Sequence, residues 1–484
     1  MSDLVLGMAL IAVVLLVSAL ASGLIERAPL SFPMIFLGLG LLLGAGGLGV
    51  IDIATHNPIL ETVAIVSLSL VLFLDAVNLQ VDELRSDWRV PMLALGPGTI
   101  LIIALVAAAA YVLVGTTPLQ SLLLGAILAS TDPVVLRDVV RDERIPRSVR
   151  RALSIEAGMN DIVVLPIVLV LIALLRAEVG GALDWLRFLA QLLLLSPLAG
   201  MLVGGAGAWL MGRADARWGI RREYQALYGI GLVLASYAAG QAVHGDGFLA
   251  AFFGGLAVTL FNVSLCDCFL EYGEVTAEMA MLLAFVLFGA VLSTLLGTVA
   301  LVPALALALL ALGVARPLAL GLVLQRASMS NAARAFVGWF GPRGLNSLLL
   351  ALLAVQAGVP GAEGLLAIAG VVVLVSVVLH GASATPLSAW YGRRVARQTL
   401  AEEREATATG LFQHDANEVP RVTPADLAAR MASARPPIVL DVRTRSQYEQ
   451  DDAQIPGSVR VPPDRIEEWA ARANRERSVI AYCT

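Results

Sequence analysis

Apolar runs of about 20 residues, each long enough to cross a bilayer as a helix, follow one another through most of this chain. Thirteen are predicted, near residues 4–24, 31–50, 58–79, 91–114, 119–136, 152–175, 186–211, 224–243, 248–265, 279–298, 303–325, 335–357 and 363–386. From about residue 391 the pattern changes. Residues 391–424 read as a polar linker, and residues 425–484 as a second unit in which short apolar stretches alternate with polar ones. There, 437–443 is predicted as a strand entering a turn, 454–461 as a loop entering a strand, 464–474 as a helix and 478–483 as a third strand. Strands alternating with helices suggest an α/β unit with a parallel sheet.

Composition agrees with a membrane domain over 1–390. Hydrophobic residues make up 58% and charged residues 15% of the chain, with a mean hydropathy of +0.81, far from a soluble globular average. The predicted fold class is an all-α polytopic membrane protein with a small α/β tail. All 33 basic residues are Arg, and their placement tests the count of spans. Connections after odd-numbered spans hold Arg27, then Arg85 and Arg89, then Arg137 to Arg151, then Arg213 to Arg222, then Arg326 and Arg334, and the tail begins with Arg393, Arg394 and Arg397. Those after even-numbered spans hold only Arg176, with Arg187 opening the next helix. Positive residues favour the inside, so the alternation puts the N-terminus outside and the tail in the cytoplasm of a multi-pass inner-membrane protein. The ninth connection is an exception: an acidic loop (Asp267, Glu271, Glu274) without Arg. No basic residue precedes the first span, so a retained helix is expected rather than a cleaved signal. Three Cys cannot form a disulfide framework.

Within the apolar spans lie Asp75, Thr131-Asp132-Pro133, Glu156, Asn160-Asp161, Arg316-Pro317 and Gly341-Pro342-Arg343-Gly344. A carboxylate at that depth costs about 2.5–3.5 kcal/mol on insertion scales, and a protein that keeps several uses them. Glu156 and Asn160 share a helix face, with Asp161 turned about 100° from Asn160. Pro133 removes a backbone donor and disfavours helix at Asp132, while Gly341, Pro342 and Gly344 interrupt the twelfth span. Two broken helices, one in each half of a bundle, point to a transport site. The oxygens on offer suit a small monovalent cation. Burial disfavours a charged carboxylate, and a cation or a proton each offsets that penalty, so the two compete for one site. Alternating exposure of such a site gives cation/proton exchange. Glu156 is better placed as a partner for Arg316, which needs a counter-charge inside a membrane. The plainer reading makes Glu156 or Asp161 interfacial caps; against it, Asp161 lies roughly 13 Å into the predicted span. Thr131 could hydrogen-bond its own helix, and Arg343 could neutralise a half-helix C-terminus or simply anchor the chain.

Taken together, Thr131-Asp132-Pro133, Glu156 with Asn160-Asp161, Arg316 and Gly341-Pro342-Arg343-Gly344 resemble the monovalent cation:proton antiporter-1 family, the NhaP-like Na⁺/H⁺ exchangers. The similarity covers about residues 4–390. It implies thirteen transmembrane helices with inverted repeats, crossing unwound fifth and twelfth helices, and a homodimer. It implies Asp161 as the shared cation and proton carrier, with Thr131, Asp132, Asn160 and Asp75 as further cation ligands. The resemblance implies no cofactor and no ATP, and a transporter, not an enzyme. Asn160 in place of a second Asp goes, in that family, with electroneutral exchange. Na⁺ is the expected cation, with Li⁺ and K⁺ as alternatives. Two departures bear on selectivity: Ala157 where a small hydroxyl residue often follows the Glu, and Asp75 where Glu is more usual.

In the tail, Leu440-Asp441-Val442-Arg443, Tyr448-Glu449, Ile455-Pro456-Gly457-Ser458 and Ile480-Ala481-Tyr482-Cys483 resemble a rhodanese domain, with Cys483 at its nucleophile position. The expected module is partial, because the sequence stops one residue later, and catalysis by Cys483 is not expected. An alternative function follows from it: a membrane-anchored sulfurtransferase or sensor. A passive channel suits titratable carboxylates less well than exchange does. Cys266-Asp267-Cys268 lacks further ligands nearby and reads as a solvated loop, His244 beside Asp246 reads as a polar surface residue in an external turn, and His56 and His380 lie near span ends with nothing paired in sequence. Nothing points to nucleic acid.

Overall fold

The computed structural model describes residues 31–79, 89–142, 144–177, 180–261, 263–327, 329–397, 422–433, 435–450, 453–473 and 477–482, with a few positions between 12 and 20. Most of the first predicted span and of the linker, together with Cys483, lies outside the described residues.

Fourteen helices build the membrane part of the described chain: α1 Phe32–Leu43, α2 Pro58–Val77, α3 Val90–Val114, α4 Pro118–Ile127, α5 Pro133–Arg141, α6 Arg147–Leu175, α7 Ala182–Trp218, α8 Arg222–Ala242, α9 Gly247–Phe261, α10 Val263–Leu295, α11 Leu301–Val323, α12 Asn331–Trp339, α13 Leu345–Gln356 and α14 Ala362–Arg397. Among the described residues, seven are long and apolar enough to cross a membrane, and α1, α4, α9 and α13 are shorter apolar helices. Local chemistry sets their ends. Asn57 accepts from Ile59 N–H ahead of Pro58 at the start of α2, and Thr117 with Gln120 forms a reciprocal cap before Pro118. α3 stops where Gly115 turns to φ 74°.

Two bundles result. α1, α2 and α7–α10 pack mainly with one another, and α3–α6 pack with α11–α14. The first is tightened by small residues. Gly200 and Gly204 of α7 lie directly on the backbone of Ala250 and Gly254 of α9, where a Cβ would meet main-chain atoms. Outer faces stay apolar: Leu198 is 60% and Leu202 73% exposed, as lipid-facing residues are. The second bundle repeats one order twice. A long helix with a π-turn (94–98 in α3, 311–315 in α11) is followed by two half-helices and then another long helix. Each π-turn ends immediately before a polar residue that reappears below, Thr99 or Arg316.

Two local expectations are corrected. The acidic loop predicted after the ninth span is absent, because α10 begins at Val263 and runs through it. That stretch has no Pro to end the helix, and the helix continues through its polar residues. Cys266 and Cys268 accordingly sit on helical backbone. α6 begins at Arg147, before the predicted 152, because an arginine-bearing turn after Pro146 extends the helix beyond its apolar part. In the tail, the described residues form a parallel sheet in the order β2-β1-β3, from β1 Ile438–Asp441, β2 Val459–Arg460 and β3 Val479–Tyr482.

Candidate functional site at the crossing of two broken helices

Residues 128–132 separate α4 from α5, and residues 340–344 separate α12 from α13. The two non-helical segments meet: Asp132 N–H donates to the Pro342 carbonyl at 2.9 Å. Breaking a helix leaves N–H groups free at one end and carbonyls at the other. Both sets are met by charged side chains here. One Asp132 carboxylate oxygen accepts from Val134 N–H at 2.9 Å, the other from Leu345 N–H at 2.8 Å, so one carboxylate caps the N-termini of both α5 and α13. Arg343 Nη1 donates to the Ala129 and Ser130 carbonyls, each at 3.0 Å, at the C-terminal end of α4. Asp132 and Arg343 are both buried. A Cβ on Gly344 would fall on the Asp132 carboxylate, so the contact requires glycine for room.

Arg316 and Glu156 form a two-pronged ion pair, Nη1 to Oε1 at 2.9 Å and Nη2 to Oε2 at 2.8 Å, with side chains 1% and 2% exposed. The same Nη2 donates to the Phe340 carbonyl at 3.0 Å, just past the end of α12. Gly341 is shaped by this arginine, because a Cβ there would overlap the guanidinium.

Asp161 stands midway along α6 and is 2% exposed. Unlike Glu156, it is held by neutral donors: Ser130 Oγ at 2.6 Å and Asn346 Nδ2 at 2.5 Å. Asn160 points its amide nitrogen toward Thr99 Oγ1 and Glu156 Oε1, each at 3.5 Å. Its Oδ1, Thr131 Oγ1 and Asp75 Oδ2 are buried with no hydrogen-bond partner among the described residues. Gly158, one turn before Asp161, lies against α2, where a Cβ would stand 3.9 Å from the Asp75 carboxylate. A cavity of about 610 Å³ lies between the bundles at the arginine-rich end, with Asp75, Asn78, Pro133 and Gly158 in its wall. Arg137 of α5 and Glu278 of α10 bridge the bundles there at 3.0 Å, partly exposed.

The crossing therefore brings together Thr131, Asp132, Asn160, Asp161 and Arg343, with Asp75 facing them from the other bundle and the Glu156–Arg316 pair beside them. The sequence points to Asp132 as a cation ligand, and in the structure each of its two oxygens also accepts a backbone N–H, because two helix N-termini converge on it. Ser130, Thr99 and Asn346 were given no role. Their signal was faint: polar residues inside apolar spans, adjacent to the motif (Ser130) or 185 residues from Asp161 in sequence (Asn346).

The family described as "Sodium/hydrogen exchanger, transmembrane" matches residues 11–390. The K(+)/H(+) antiporter NhaP of Alkalimonas amylolytica is 28% identical over 401 residues, covering 80% of this chain and 67% of that protein. The K(+)/H(+) antiporter NhaP2 of a Shewanella species is 30% identical over 381 residues, covering 76% of this chain and 64% of that protein. This chain thus spans about two-thirds of the length of these curated relatives. The structure of the sodium proton antiporter MjNhaP1 from Methanocaldococcus jannaschii superposes with a TM-score of 0.68 at 19% identity, over 78% of this chain and 99% of that one. At that identity the likeness speaks for the fold. The family match disfavours a set of helices that merely anchors a sulfurtransferase. From the family match and the shared fold, the chain belongs to the sodium/hydrogen exchanger family, a family of multi-pass membrane transporters and not of enzymes.

Proposed function

We propose that this protein exchanges one monovalent cation for one proton across the membrane, with Asp161 as the group both ions share. The observation that carries this reading is the contrast in partners among the buried acids. Glu156 is matched by Arg316 and Asp132 by two helix N-termini, whereas Asp161 is held by two neutral side chains. An uncompensated carboxylate in an apolar interior needs a positive partner, and a proton or a cation serves. The buried oxygens of Thr131, Asn160 and Asp75 offer the hard ligands a dehydrated Na⁺, Li⁺ or K⁺ needs. Asp161 alternating between one cation and one proton makes the cycle electroneutral. The relatives' names point to K⁺ and the structural neighbour's title to Na⁺, so both are taken as substrates to compare.

The frame of this reading is a homodimer of thirteen-span chains, N-terminus outside and tail inside, with the cavity between the bundles facing the cytoplasm. Residues 425–484 are read as a partial rhodanese-like domain on their motifs alone, and no sulfur transfer is assigned to them. Proteoliposomes carrying a pH-sensitive dye test the proposal. Added Na⁺, K⁺ or Li⁺ should move protons in the wild type, and Asp161→Asn should abolish the response. Undiminished proton movement in that variant would overturn the role of Asp161.

A further inference from the structure

One face of α14 carries three polar side chains in an otherwise apolar stretch: Ser376, His380 and Ser383, at the i, i+4, i+7 spacing that stacks them along a helix. All three meet the neighbourhood of the break between α12 and α13. Arg343 N–H donates to Ser376 Oγ at 2.7 Å, His380 Nε2 lies 3.0 Å from the Trp339 carbonyl, and Trp339 Nε1 donates to Ser383 Oγ at 3.0 Å. His380 Nδ1 is 3.2 Å from Ser376 Oγ. The imidazole is 2% exposed, with its ring centre 5.6 Å from that of Trp339 and 6.4 Å from that of Phe340.

With Nε2–H donating to the Trp339 carbonyl, Nδ1 accepts the Ser376 hydroxyl proton and Ser376 Oγ accepts Arg343 N–H, while the Ser376 carbonyl, 2.9 Å from Nδ1, receives nothing from the ring. At one end of this relay is the last residue of α12. At the other is the arginine whose guanidinium covers the open carbonyls of α4. Residues 340–344 lack a helical ladder, so their path has to be fixed by partners outside the segment.

We propose that Ser376 and His380 are positioning residues for exchange: they hold the unwound segment 340–344 so that Arg343 stays on the Ala129 and Ser130 carbonyls and Leu345 N–H stays on Asp132. Neither hydrogen-bonds Asp161, and both act through the segment. The proposal rests on the exchange reading above. Its consequence is that a perturbation on α14 alters ion binding at the crossing. Ser376→Ala and His380→Ala should raise the half-saturating cation concentration in proteoliposomes about tenfold while changing the maximal rate much less. His380→Gln, whose amide nitrogen falls where Nε2 stands, should recover most of the affinity, and His380→Asn, which cannot reach Trp339, should not.

Hydrogen exchange on the full chain supplies a readout independent of transport. Peptides covering 340–344 should exchange faster in Ser376→Ala and His380→Ala and return toward wild type in His380→Gln. Wild-type affinity together with wild-type protection in Ser376→Ala and His380→Asn overturns the proposal, even if His380→Ala fails to fold. A wild-type protein that exchanges no cation overturns the exchange reading instead, and the protection data still judge the brace.

Discussion

Removing Arg316 while keeping Glu156 isolates the energetics of the buried pair. Arg316→Met fills similar volume but leaves the Glu156 carboxylate, 1% exposed, with no guanidinium on either oxygen, and strips the Phe340 carbonyl of its donor at 3.0 Å. Breaking a buried pair from one side costs about 3–5 kcal/mol, whereas replacing both partners by apolar side chains is near neutral. The Phe340 carbonyl stays without its donor in both cases, worth about 1–3 kcal/mol. Arg316→Met should therefore be destabilised by roughly 4–8 kcal/mol, and Glu156→Leu/Arg316→Met by only the smaller part. Melting in detergent, followed by tryptophan fluorescence, ranks wild type, both single variants and the double variant. The reasoning requires the double variant to melt above Arg316→Met. If the single losses simply add, the two charges are not energetically coupled and the pairing argument fails.

Three further outcomes follow. Gly344→Ala should cost about 1–3 kcal/mol, because its Cβ lands on the Asp132 carboxylate and the Leu345 bond must open, whereas Gly364→Ala, with open space at that position, should melt like wild type. Glu278→Gln removes an ion pair whose side chains are 33% and 22% exposed, so its stability effect should stay within about 1 kcal/mol and vanish near 1 M salt, as melts at low and high salt will report. In the tail, burial alone would raise the Asp441 carboxyl, but hydrogen bonds from Arg443, with Tyr482 and Arg460 adding to them, outweigh it and hold it below the ordinary carboxylate range. A group lowered on folding stabilises the fold above its unfolded value, near 4, and loses that contribution as pH falls through the folded one. Asp441→Asn should therefore weaken protection of the β1 amides at pH 7, and the difference from wild type should shrink as pH falls below about 4 and through the folded value, measured by hydrogen exchange corrected for its intrinsic pH dependence.

Some of the crossing is legible in the sequence for plain physical reasons. An arginine in an apolar span needs a counter-charge, and Glu156 is the acid nearest in kind, so its link to Arg316 follows from cost alone. Pro133 and the Gly341-to-Gly344 run mark both breaks, because they remove donors or backbone restraint locally. What each freed group then binds is not local. That Asp132 also caps two helices is not legible locally, because its second oxygen is met by Leu345, 213 positions away. Asn346 has the same difficulty, as one polar residue in an apolar half-helix whose meaning depends on Asp161 lying opposite. Helix ends are misjudged where hydropathy falls but the helix does not end. The stretch beyond Val263 is too polar for a span, yet nothing in it breaks a helix, and the helix runs through.

The placement of the acids on different bodies adds a last step. Asp161, Asn160 and Thr131 belong to the bundle of broken helices, and Asp75 belongs to α2 in the other. Gly158 of α6 faces the Asp75 side chain, and a Cβ there would stand 3.9 Å from its carboxylate. On the exchange reading, a cation held by Asp161 from one bundle and Asp75 from the other has its full set of ligands only while the bundles are closed on each other. A proton needs a single oxygen and makes no such demand. The cation would then favour an occluded arrangement that the protonated site does not, and the difference in ligand number would couple the identity of the bound ion to the approach of the two bundles. Asp75→Asn should weaken cation affinity more than proton affinity. An equal loss of both would mean that Asp75 sets only the local field and takes no part in that closure.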